Sequence, residues 1–384
     1  MRILRIIWDW PPPWTGLAPG PYELTVAQQK VGNTLTVFCG GWPFRHKEKV
    51  NGIKLYRLPS GLIPGINGSV FLSTAPLALL YYFIYKISHK IDIIHAHGHL
   101  SLFLSLYKKL FGWLDKTPYV VHFHHVSAER VQKIYEENEG KLPWWVRVEW
   151  WLHQLSDKLA VKEADKLIFV SESMQKGFET YYKAPREKSF VLGNGVNTSL
   201  FHPVGERHAF PLQWNNKKLI LFVGSLSKRK NTDLIIRSLA QLGEEYAAVF
   251  VGTGDQEEVL KNLASELNVS DRVLFQGYIP NLELAPFFQS ADIFVLPSKS
   301  EGFPKVVLEA LACGVPVVAS GFDPGLDFEN MVFTLSDLSA EALTQTIKKV
   351  TDTNITIDVD FINKKYSWEA KAKELQSVYV SLTK

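Results

Sequence analysis

Residues Val295–Ser320, VLPSKSEGFPKVVLEALACGVPVVAS, carry the clearest structural signal in the chain. The segment predicts a strand, a loop that contains Gly302 and Pro304, a helix, a turn at residues 314–316 and a second strand. Two strands joined by a helical crossover belong to one parallel sheet. The segment therefore indicates an α/β domain.

The same alternation of short β-rich runs and longer helical patterns extends along the whole chain. In the first half the predicted strands are Ile3–Trp8, Leu35–Phe38, Ile91–His95, Tyr119–Phe123 and Leu167–Val170. In the second half they are Leu219–Val223, Ala247–Val251, Val273–Gln276, Ile293–Leu296 and Pro316–Ala319. Helices are predicted between them, for example over Thr232–Gln241 and Gln256–Leu267. This order predicts two doubly wound, Rossmann-like domains whose strand-end loops face each other across a cleft.

Length and composition agree with two globular domains. A chain of 384 residues exceeds what one hydrophobic core normally supports. Apolar residues make up 46% of it, which is enough for two cores. The turn-rich segment Val191–Pro203, VLGNGVNTSLFHP, predicts the boundary between them. A formal net charge of +3 argues against a nucleic-acid-binding protein with a broad basic face.

The chain also predicts a cytoplasmic location. It has two cysteines, Cys39 and Cys313, far apart in apolar surroundings, which indicates a reducing compartment rather than a disulfide framework. The N-terminal apolar run is too short for a signal peptide and predicts a first strand. The longest apolar stretch, Val70–Tyr85, is interrupted by polar residues and is shorter than the roughly 20 residues that cross a bilayer.

Two glutamates in the segment Val295–Ser320 are candidate catalytic or binding residues. Glu301 and Glu309 are eight residues apart, so a helix that begins near Phe303 would place Glu301 at its mouth and Glu309 about two turns inside. The backbone N–H groups of Phe303 and Lys305 at that helix N-terminus would form an anion site suited to a diphosphate. From the spacing alone, an ordinary amphipathic helix with an acidic first turn remains an alternative.

The segment resembles the E-x7-E signature of the retaining glycosyltransferases of family 4, which have the GT-B fold. Four other segments resemble motifs of the same family: VLGNGVNTSLFHP, LFVGSLSKRKN (221–231), LIFVSESM (167–174) and YSWEAKAKELQSVY (366–379). The last resembles a helix that crosses back to the first domain. The resemblance therefore implies an acceptor-binding domain over residues 1–195, a nucleotide-sugar-binding domain over 196–365 and the crossing helix at 366–384.

The resemblance also implies roles for individual residues. Glu301 would bind hydroxyls of the transferred sugar, Glu309 would hold the ribose, and Lys230 would neutralise the leaving diphosphate. The loop and turn residues expected around the nucleotide sugar are Gly302, Phe303, Pro304, Lys305, Gly252, Gly254, Tyr278 and Ile279. A phosphate or acceptor loop is expected at Gly16 and Leu17.

One departure from the family concerns the phosphate clamp. Ser225 stands where the family has an arginine, and Arg229 or Lys228 close by could supply the missing charge. The implied reaction is retaining hexosyl transfer, without metal or cofactor, from a nucleoside-diphosphate sugar such as a UDP- or GDP-sugar. The implied acceptor is a glycan or lipid-linked glycan, as in polysaccharide biosynthesis.

Histidines cluster at the ends of two predicted strands: His95, His97, His99, His122, His124 and His125. Histidines two apart on a strand share a face, so metal chelation is one interpretation. We favour no metal, because these segments resemble the family's histidine motifs. His124 then corresponds to a histidine expected near the transferred sugar, where it would position the sugar or acceptor or act as a general base.

Aromatic residues are concentrated at Trp144, Trp145, Trp150 and Trp151. On a helix, Trp144, Val148, Trp151, Leu152 and Leu155 share one face, and such a stripe predicts core packing or a dimer contact. Together with Val70–Tyr85 and nearby lysines, these aromatics also fit peripheral association with a membrane.

Two other functions remain open from the sequence. A nucleotide-sugar epimerase of the same architecture is one, although the E-x7-E segment and the C-terminal helix argue against it. A non-catalytic sugar-binding or scaffold protein is the other, and the joint presence of Glu301, Glu309 and Lys230 argues against that.

Overall fold

The structure is a computed structural model that describes residues 1–8, 10, 19–41, 48–59, 74–137, 140–353 and 355–383. The chain forms two compact units. The first comprises Met1–Gly193 with Lys371–Lys384, and the second comprises Asn194–Ala370. The domain boundary predicted at residue 195 lies two residues from this division.

The first unit is built on a mainly parallel sheet. Its strands are β1 (Arg2–Ile7), β2 (Thr34–Gly41), β3 (Glu48–Val50), β4 (Ile53–Pro59), β5 (Ile93–His97), β6 (Tyr119–Phe123), β7 (Lys166–Phe169) and β8 (Ser189–Val191). They are ordered β3-β4-β2-β1-β5-β6-β7-β8, and β3–β4 is the antiparallel pair. The helices are α1 (Pro19–Lys30), α2 (Thr74–Ser88), α3 (Leu102–Phe111), α4 (Ser127–Glu137), α5 (Trp144–Glu163) and α6 (Glu172–Tyr182).

The second unit is a fully parallel sheet with its own helices. Its strands are β9 (Lys218–Val223), β10 (Tyr246–Val251), β11 (Val273–Gly277), β12 (Ile293–Pro297), β13 (Val317–Ser320) and β14 (Val332–Thr334), ordered β11-β10-β9-β12-β13-β14. The helices are α7 (Asp233–Gln241), α8 (Glu257–Glu266), α9 (Ala285–Ser290), α10 (Lys305–Ala312), α11 (Ala340–Asp352) and α12 (Val359–Tyr366). A final helix, α13 (Trp368–Thr383), ends in the part of the chain that belongs to the first unit.

The predicted α/β class is confirmed. Each of the ten predicted strands is present with its ends shifted by at most three residues. The strands are continuous apolar runs because both faces of a parallel sheet are buried. In β1, for example, Ile3, Leu4 and Ile6 are almost fully buried.

The hairpin β3–β4 was not predicted from the sequence. Its turn is Asn51-Gly52, and both residues have positive φ, 49° and 83°. That dipeptide is a strong signal for a tight hairpin turn, because the left-handed conformation costs asparagine and glycine little. The local sequence therefore contained the information, and the prediction was incomplete.

Each sheet has one point where the order of strands reverses. In the first unit it lies between β1 and β5, and in the second between β9 and β12. Loops at the carboxyl ends of the two central strands diverge there and leave a crevice, where open α/β sheets bind ligands. The two crevices are therefore the places to look for functional side chains.

Candidate active site

The loops after β9 and β12 bring together residues that are distant in sequence. The Lys230 Nζ atom lies 2.6 Å from Glu301 Oε1, and the Arg229 guanidinium lies 2.9 Å from the same oxygen. Lys230 is only 9% exposed. Burial alone would raise the pKa of Glu301, but the hydrogen bond and charge of Lys230 lower it overall. The glutamate is therefore ionised at neutral pH beside two cations.

Backbone contacts fix this ion pair in place. The Lys299 N–H donates to the Arg229 carbonyl at 2.9 Å, and the Glu301 N–H donates to the Gly321 carbonyl at 2.7 Å. Gly321 has φ +85°, and a Cβ atom there would lie 2.5 Å from the Ser298 carbonyl oxygen. Only glycine fits that position, so the loop that presents Glu301 depends on a residue that the sequence analysis did not single out.

Glu309 lies on α10 and is buried, and its Oε1 atom accepts a hydrogen bond of 3.1 Å from the Asn281 side chain. The helix begins at Lys305 rather than near Phe303, so Glu309 is about one turn from its start rather than two. The reason is Pro304, which disfavours helical conformation in the residue before it. Of the two N–H groups predicted to form an anion site, that of Lys305 lies at the helix N-terminus and that of Phe303 precedes the helix.

Phe303 itself has a packing role. Its ring contacts the rings of Phe322, Phe328 and Tyr366, with centroids 5.4 to 6.4 Å apart. Its carbonyl accepts a hydrogen bond of 2.8 Å from the Asn194 side chain. These contacts hold the loop between Glu301 and α10.

The predicted glycine turn after β10 approaches the loop after β9 through backbone atoms. Gly224 N–H donates to the Val251 carbonyl at 2.9 Å, and Leu226 N–H donates to the Thr253 carbonyl at 3.0 Å. A Cβ atom at Gly252 would lie 2.0 Å from the Gly224 carbonyl oxygen. At Gly254 it would lie 2.1 Å from the Leu226 carbonyl oxygen. Side chains are excluded here by the neighbouring backbone.

Gly252→Ala is therefore expected to destabilise the second unit by about 2 kcal/mol or more, because a backbone contact cannot move away as a side chain can. Chemical denaturation of purified protein measures the effect. Gly193→Ala is the matched control, since a Cβ atom at Gly193 would meet nothing within 4 Å. Equal stability of the two variants would contradict the proposed close approach.

The remaining predicted residues of this unit are placed as follows. Arg229 supplies the second cation near Glu301, and its side chain is exposed, as are those of Ser225 and Lys228. The Ser225 hydroxyl lies 3.4 Å from that of Ser227. Tyr278 is 69% exposed, and Ile279 packs at the edge of the core. Asn281, which contacts Glu309, lies two residues after Ile279 and was not predicted as a site residue.

In the first unit, His95 and His97 on β5 lie beside His122 on β6. His97 Nδ1 lies 2.9 Å from His124 Nε2, and His95 Nδ1 contacts the Tyr379 hydroxyl of α13. Burial lowers the pKa values of His95, His97 and His122 well below their usual range. These three rings are therefore neutral at pH 7.

The spacing of these histidines would allow them to ligate a metal ion, but a neighbouring charge opposes one. The candidate ligand atoms of His95, His97 and His122 lie within 4.8 Å of one another. Tetrahedral zinc with bonds of about 2.1 Å holds its ligand nitrogens roughly 3.4 Å apart, a separation that this limit includes. The buried guanidinium of Arg5 reaches within 3.4 Å of His95 Nδ1, and its charge opposes a second cation. Gly16 and Leu17, predicted for the adjacent loop, lie outside the described residues.

Comparison with known proteins identifies the class. A model of glycosyltransferase family 4 matches residues 14–200, and a model described as glycosyl transferases group 1 matches residues 205–368. An uncharacterized glycosyltransferase of Methanocaldococcus jannaschii is 28% identical over 334 residues, which cover 83% of this chain and 80% of that protein. The D-inositol 3-phosphate glycosyltransferase of Mycobacterium leprae is 30% identical over 243 residues, 60% of this chain and 52% of that protein.

Solved structures agree on the fold. The sucrose-phosphate synthase from Thermosynechococcus elongatus superposes with a TM-score of 0.73 at 20% identity, covering 99% of this chain and 98% of that one. Anabaena HepE, solved in complex with UDP, gives a TM-score of 0.69 at 17% identity, covering 99% and 100%. The protein is therefore a glycosyltransferase with the GT-B fold. Within that class it is similar to the family 4 enzymes, and the epimerase alternative is not favoured.

Proposed function

We propose that this glycosyltransferase is retaining and metal-independent, and that it moves a hexose from a nucleoside-diphosphate sugar to a glycan or lipid-linked glycan. The observation that carries the proposal is the Lys230–Glu301–Arg229 cluster at the β9–β12 crevice. Two cations against one carboxylate leave one excess positive charge where a diphosphate would develop negative charge. Fixed charges in such a site stabilise the leaving group without reorganisation.

The reaction then divides among the residues of this unit. The bond between the sugar C1 atom and the diphosphate oxygen breaks, and a bond forms from an acceptor hydroxyl oxygen to C1 on the same face. The proton of that hydroxyl passes to the departing phosphate. Lys230 and Arg229 hold the phosphate, Glu301 accepts hydrogen bonds from the sugar, and Glu309, oriented by Asn281, holds the ribose.

Two observations support metal independence. Lys230 and Arg229 supply positive charge of the kind that a divalent cation would otherwise bring to the diphosphate. The buried histidines of the first unit lie beside the charged Arg5 side chain, which opposes a metal ion there. HepE has been solved in complex with UDP and with UDP-glucose, so uridine donors are the first to test.

The proposal is tested by incubating the protein with α-configured UDP-sugars and GDP-sugars, with and without EDTA. We expect slow release of nucleoside diphosphate at a rate that EDTA does not change. Proton NMR of the sugar product at early times should show the α anomer. Release of the β anomer would contradict retention, and loss of activity in EDTA would contradict metal independence. No release from any donor would favour the non-catalytic alternative.

A further inference from the structure

Helix α2 presents an apolar stripe to solvent. Leu80, Phe83, Ile84 and Ile87 are all exposed, and Ile87 is 87% exposed. Their spacing of i, i+3, i+4 and i+7 places them on one face of the helix. In a surface helix this face normally packs on the core. Here the apolar stripe points away from it.

Helix α3 and the turn after it repeat the pattern. The exposed residues are Leu106, Leu110, Phe111, Trp113 and Leu114, of which Trp113 is 70% exposed. Phe83 of α2 meets Tyr107 of α3 edge to face, with ring centroids 4.9 Å apart, so the two helices are direct neighbours. We call the exposed apolar side chains of both helices and of the turn after α3 the α2–α3 surface.

A polar network beneath the surface explains why the helices have this orientation. Asp115 is buried, pairs with Lys86 at 2.5 Å and accepts a hydrogen bond from the Tyr82 hydroxyl. Burial alone would raise the pKa of Asp115, but the hydrogen bonds from Lys86 and Tyr82 lower it well below the usual range. Lys108 donates to the carbonyls of Asp115 and Thr117 at 2.8 and 2.6 Å. Turning either helix to bury its apolar stripe would break these contacts.

The start of α5 adds exposed aromatics to the same unit. Trp144 is 76% exposed, and Trp145, Val148 and Trp151 are exposed as well. Leu152 and Leu155 do pack, in a cluster with residues of α3. The predicted stripe on this helix is thus packed in its second half and exposed in its first, so core packing, one of its two stated alternatives, holds only for the second half.

The unpaired charges around the α2–α3 surface are mainly positive. Exposed lysines lie at Lys86, Lys90, Lys109 and Lys116. Between residues 74 and 118 the acidic residues are Asp92 and Asp115, and each is paired with a basic side chain. A second copy docked through the same face would bring like charges together. An anionic lipid surface would satisfy both the lysines and the apolar stripes.

We propose that the α2–α3 surface docks this protein on an anionic membrane face. In the part of the chain that the structure describes, no helix has the length and apolarity to cross a bilayer. The helices therefore lie in the interface, with Ile87 and Trp113 among the acyl chains and the lysines at the headgroups. This inference is independent of the proposed sugar-transfer mechanism.

Vesicle flotation of the full chain tests the proposal. Wild-type protein should bind vesicles of equal parts phosphatidylcholine and phosphatidylglycerol, and bind phosphatidylcholine alone much more weakly. Ile87→Ser combined with Trp113→Ser should lower the partition constant at least about tenfold, since each substitution removes a large apolar side chain that would be buried in the bilayer. Leu326→Ser is the matched control and should change nothing, because Leu326 is 91% exposed but lies in the second unit.

The charge component is tested separately. Lys90→Gln and Lys116→Gln should each lower binding to the anionic vesicles about fivefold at low salt, the factor that corresponds to about 1 kcal/mol per lysine. Thermal unfolding of each variant shows that it is folded. Absence of wild-type binding, or equal binding by the serine variant, would overturn the proposal. So would a wild-type dimer in sedimentation velocity that Ile87→Ser dissociates, since a second copy would then cover the surface.

Discussion

Lys230→Ala is expected to lower the rate of sugar transfer by about a thousandfold, the upper range for removing one preorganised charge-stabilising group. Lys230 is buried against Glu301, and the carboxylate would be left with Arg229 alone. The excess positive charge that receives the leaving diphosphate would disappear. Steady-state kinetics with the best nucleotide sugar measure the loss in kcat.

Two further variants make this result specific. Glu301→Gln keeps the shape of the side chain but removes the charge that orients Lys230, so its kcat should fall as well. Lys228→Ala removes an exposed lysine two positions away and should leave kcat within about twofold of wild type, as surface substitutions usually do. Comparable losses in Lys228→Ala and Lys230→Ala would show that general electrostatics, rather than the buried pair, drives catalysis.

Acidification from pH 7 to pH 5 is expected to unfold the first unit before the second. Burial lowers the pKa values of six histidines in the first unit: His95, His97, His99, His122, His125 and His153. For His99 and His125 the pKa falls to about 4, and for His153 to about 3. The unfolded chain therefore binds more protons below pH 6.5, and the free energy of unfolding decreases as the pH falls.

The charged neighbours reinforce this direction. The charge of Arg5 disfavours protonation of His95, His97 and His122. The charge of Arg130 does the same for His99, His125 and His153. At pH 5 each histidine costs about 2 kcal/mol. Six of them together cost on the order of 10 kcal/mol, which is comparable with the whole stability of a typical domain.

Asp157 acts in the opposite sense. Burial raises its pKa to about 7, although its Oδ2 atom accepts a hydrogen bond of 3.1 Å from the Ser127 N–H. The folded state therefore holds a proton that the unfolded state releases above about pH 4, and this contribution grows as the pH falls through 7. Six protons taken up on unfolding and one released leave about five near pH 5.5, or roughly 7 kcal/mol per pH unit.

Urea denaturation at pH 7, 6 and 5, followed by amide exchange in peptides from β5 and β6 and from β12 and β13, measures both units at once. His122→Phe keeps a ring but removes one titrating group, so it should reduce the slope by about one proton. In the described part of the second unit, the histidine with a resolved pKa decrease is the half-buried His208, so that unit serves as the internal control. A first unit that keeps its stability at pH 5 would refute the buried, neutral state of the cluster.

The sequence was most informative where the physics is local. The β-strands were located by their apolar runs. The Asn51-Gly52 dipeptide also indicates a hairpin turn, although the hairpin was not predicted. Side-chain burial was harder to predict. Arg5 sits inside an apolar strand, and it is tolerated there because the Gln28 side chain of α1 accepts its hydrogen bond at 2.6 Å. The sequence of β1 alone does not predict this hydrogen bond, because Gln28 lies on another element.

The candidate site shows the same limit. Lys230 and Glu301 are 71 residues apart, so their spacing in the sequence did not predict that they are in contact. Only the family resemblance assigned both residues to one nucleotide-sugar site. Asn281 and Gly321 act through tertiary contacts with Glu309 and Glu301, so their own surroundings in the sequence gave little signal.

The exposed tryptophans illustrate a third limit. Helical period correctly placed Trp144 and Trp151 on one face of α5. Period does not say whether another element covers that face, because coverage depends on the packing of α3 and its neighbours. Core packing therefore holds for only half of the predicted stripe, and the alternative of a dimer contact stays a prediction.

The central claim, a nucleoside-diphosphate site built around Glu301 and Glu309, is tested most directly by thermal unfolding with UDP, GDP, ADP, CDP and TDP, each with and without EDTA. A nucleotide present at a hundredfold excess over its Kd should stabilise the protein by about 2.7 kcal/mol. We expect one nucleotide to do so, with no effect of EDTA, with loss of the shift in Glu309→Ala, and with its retention in Glu329→Ala, which changes an exposed glutamate of the same unit. No shift with any nucleotide, or an equal shift in Glu309→Ala, would contradict the account.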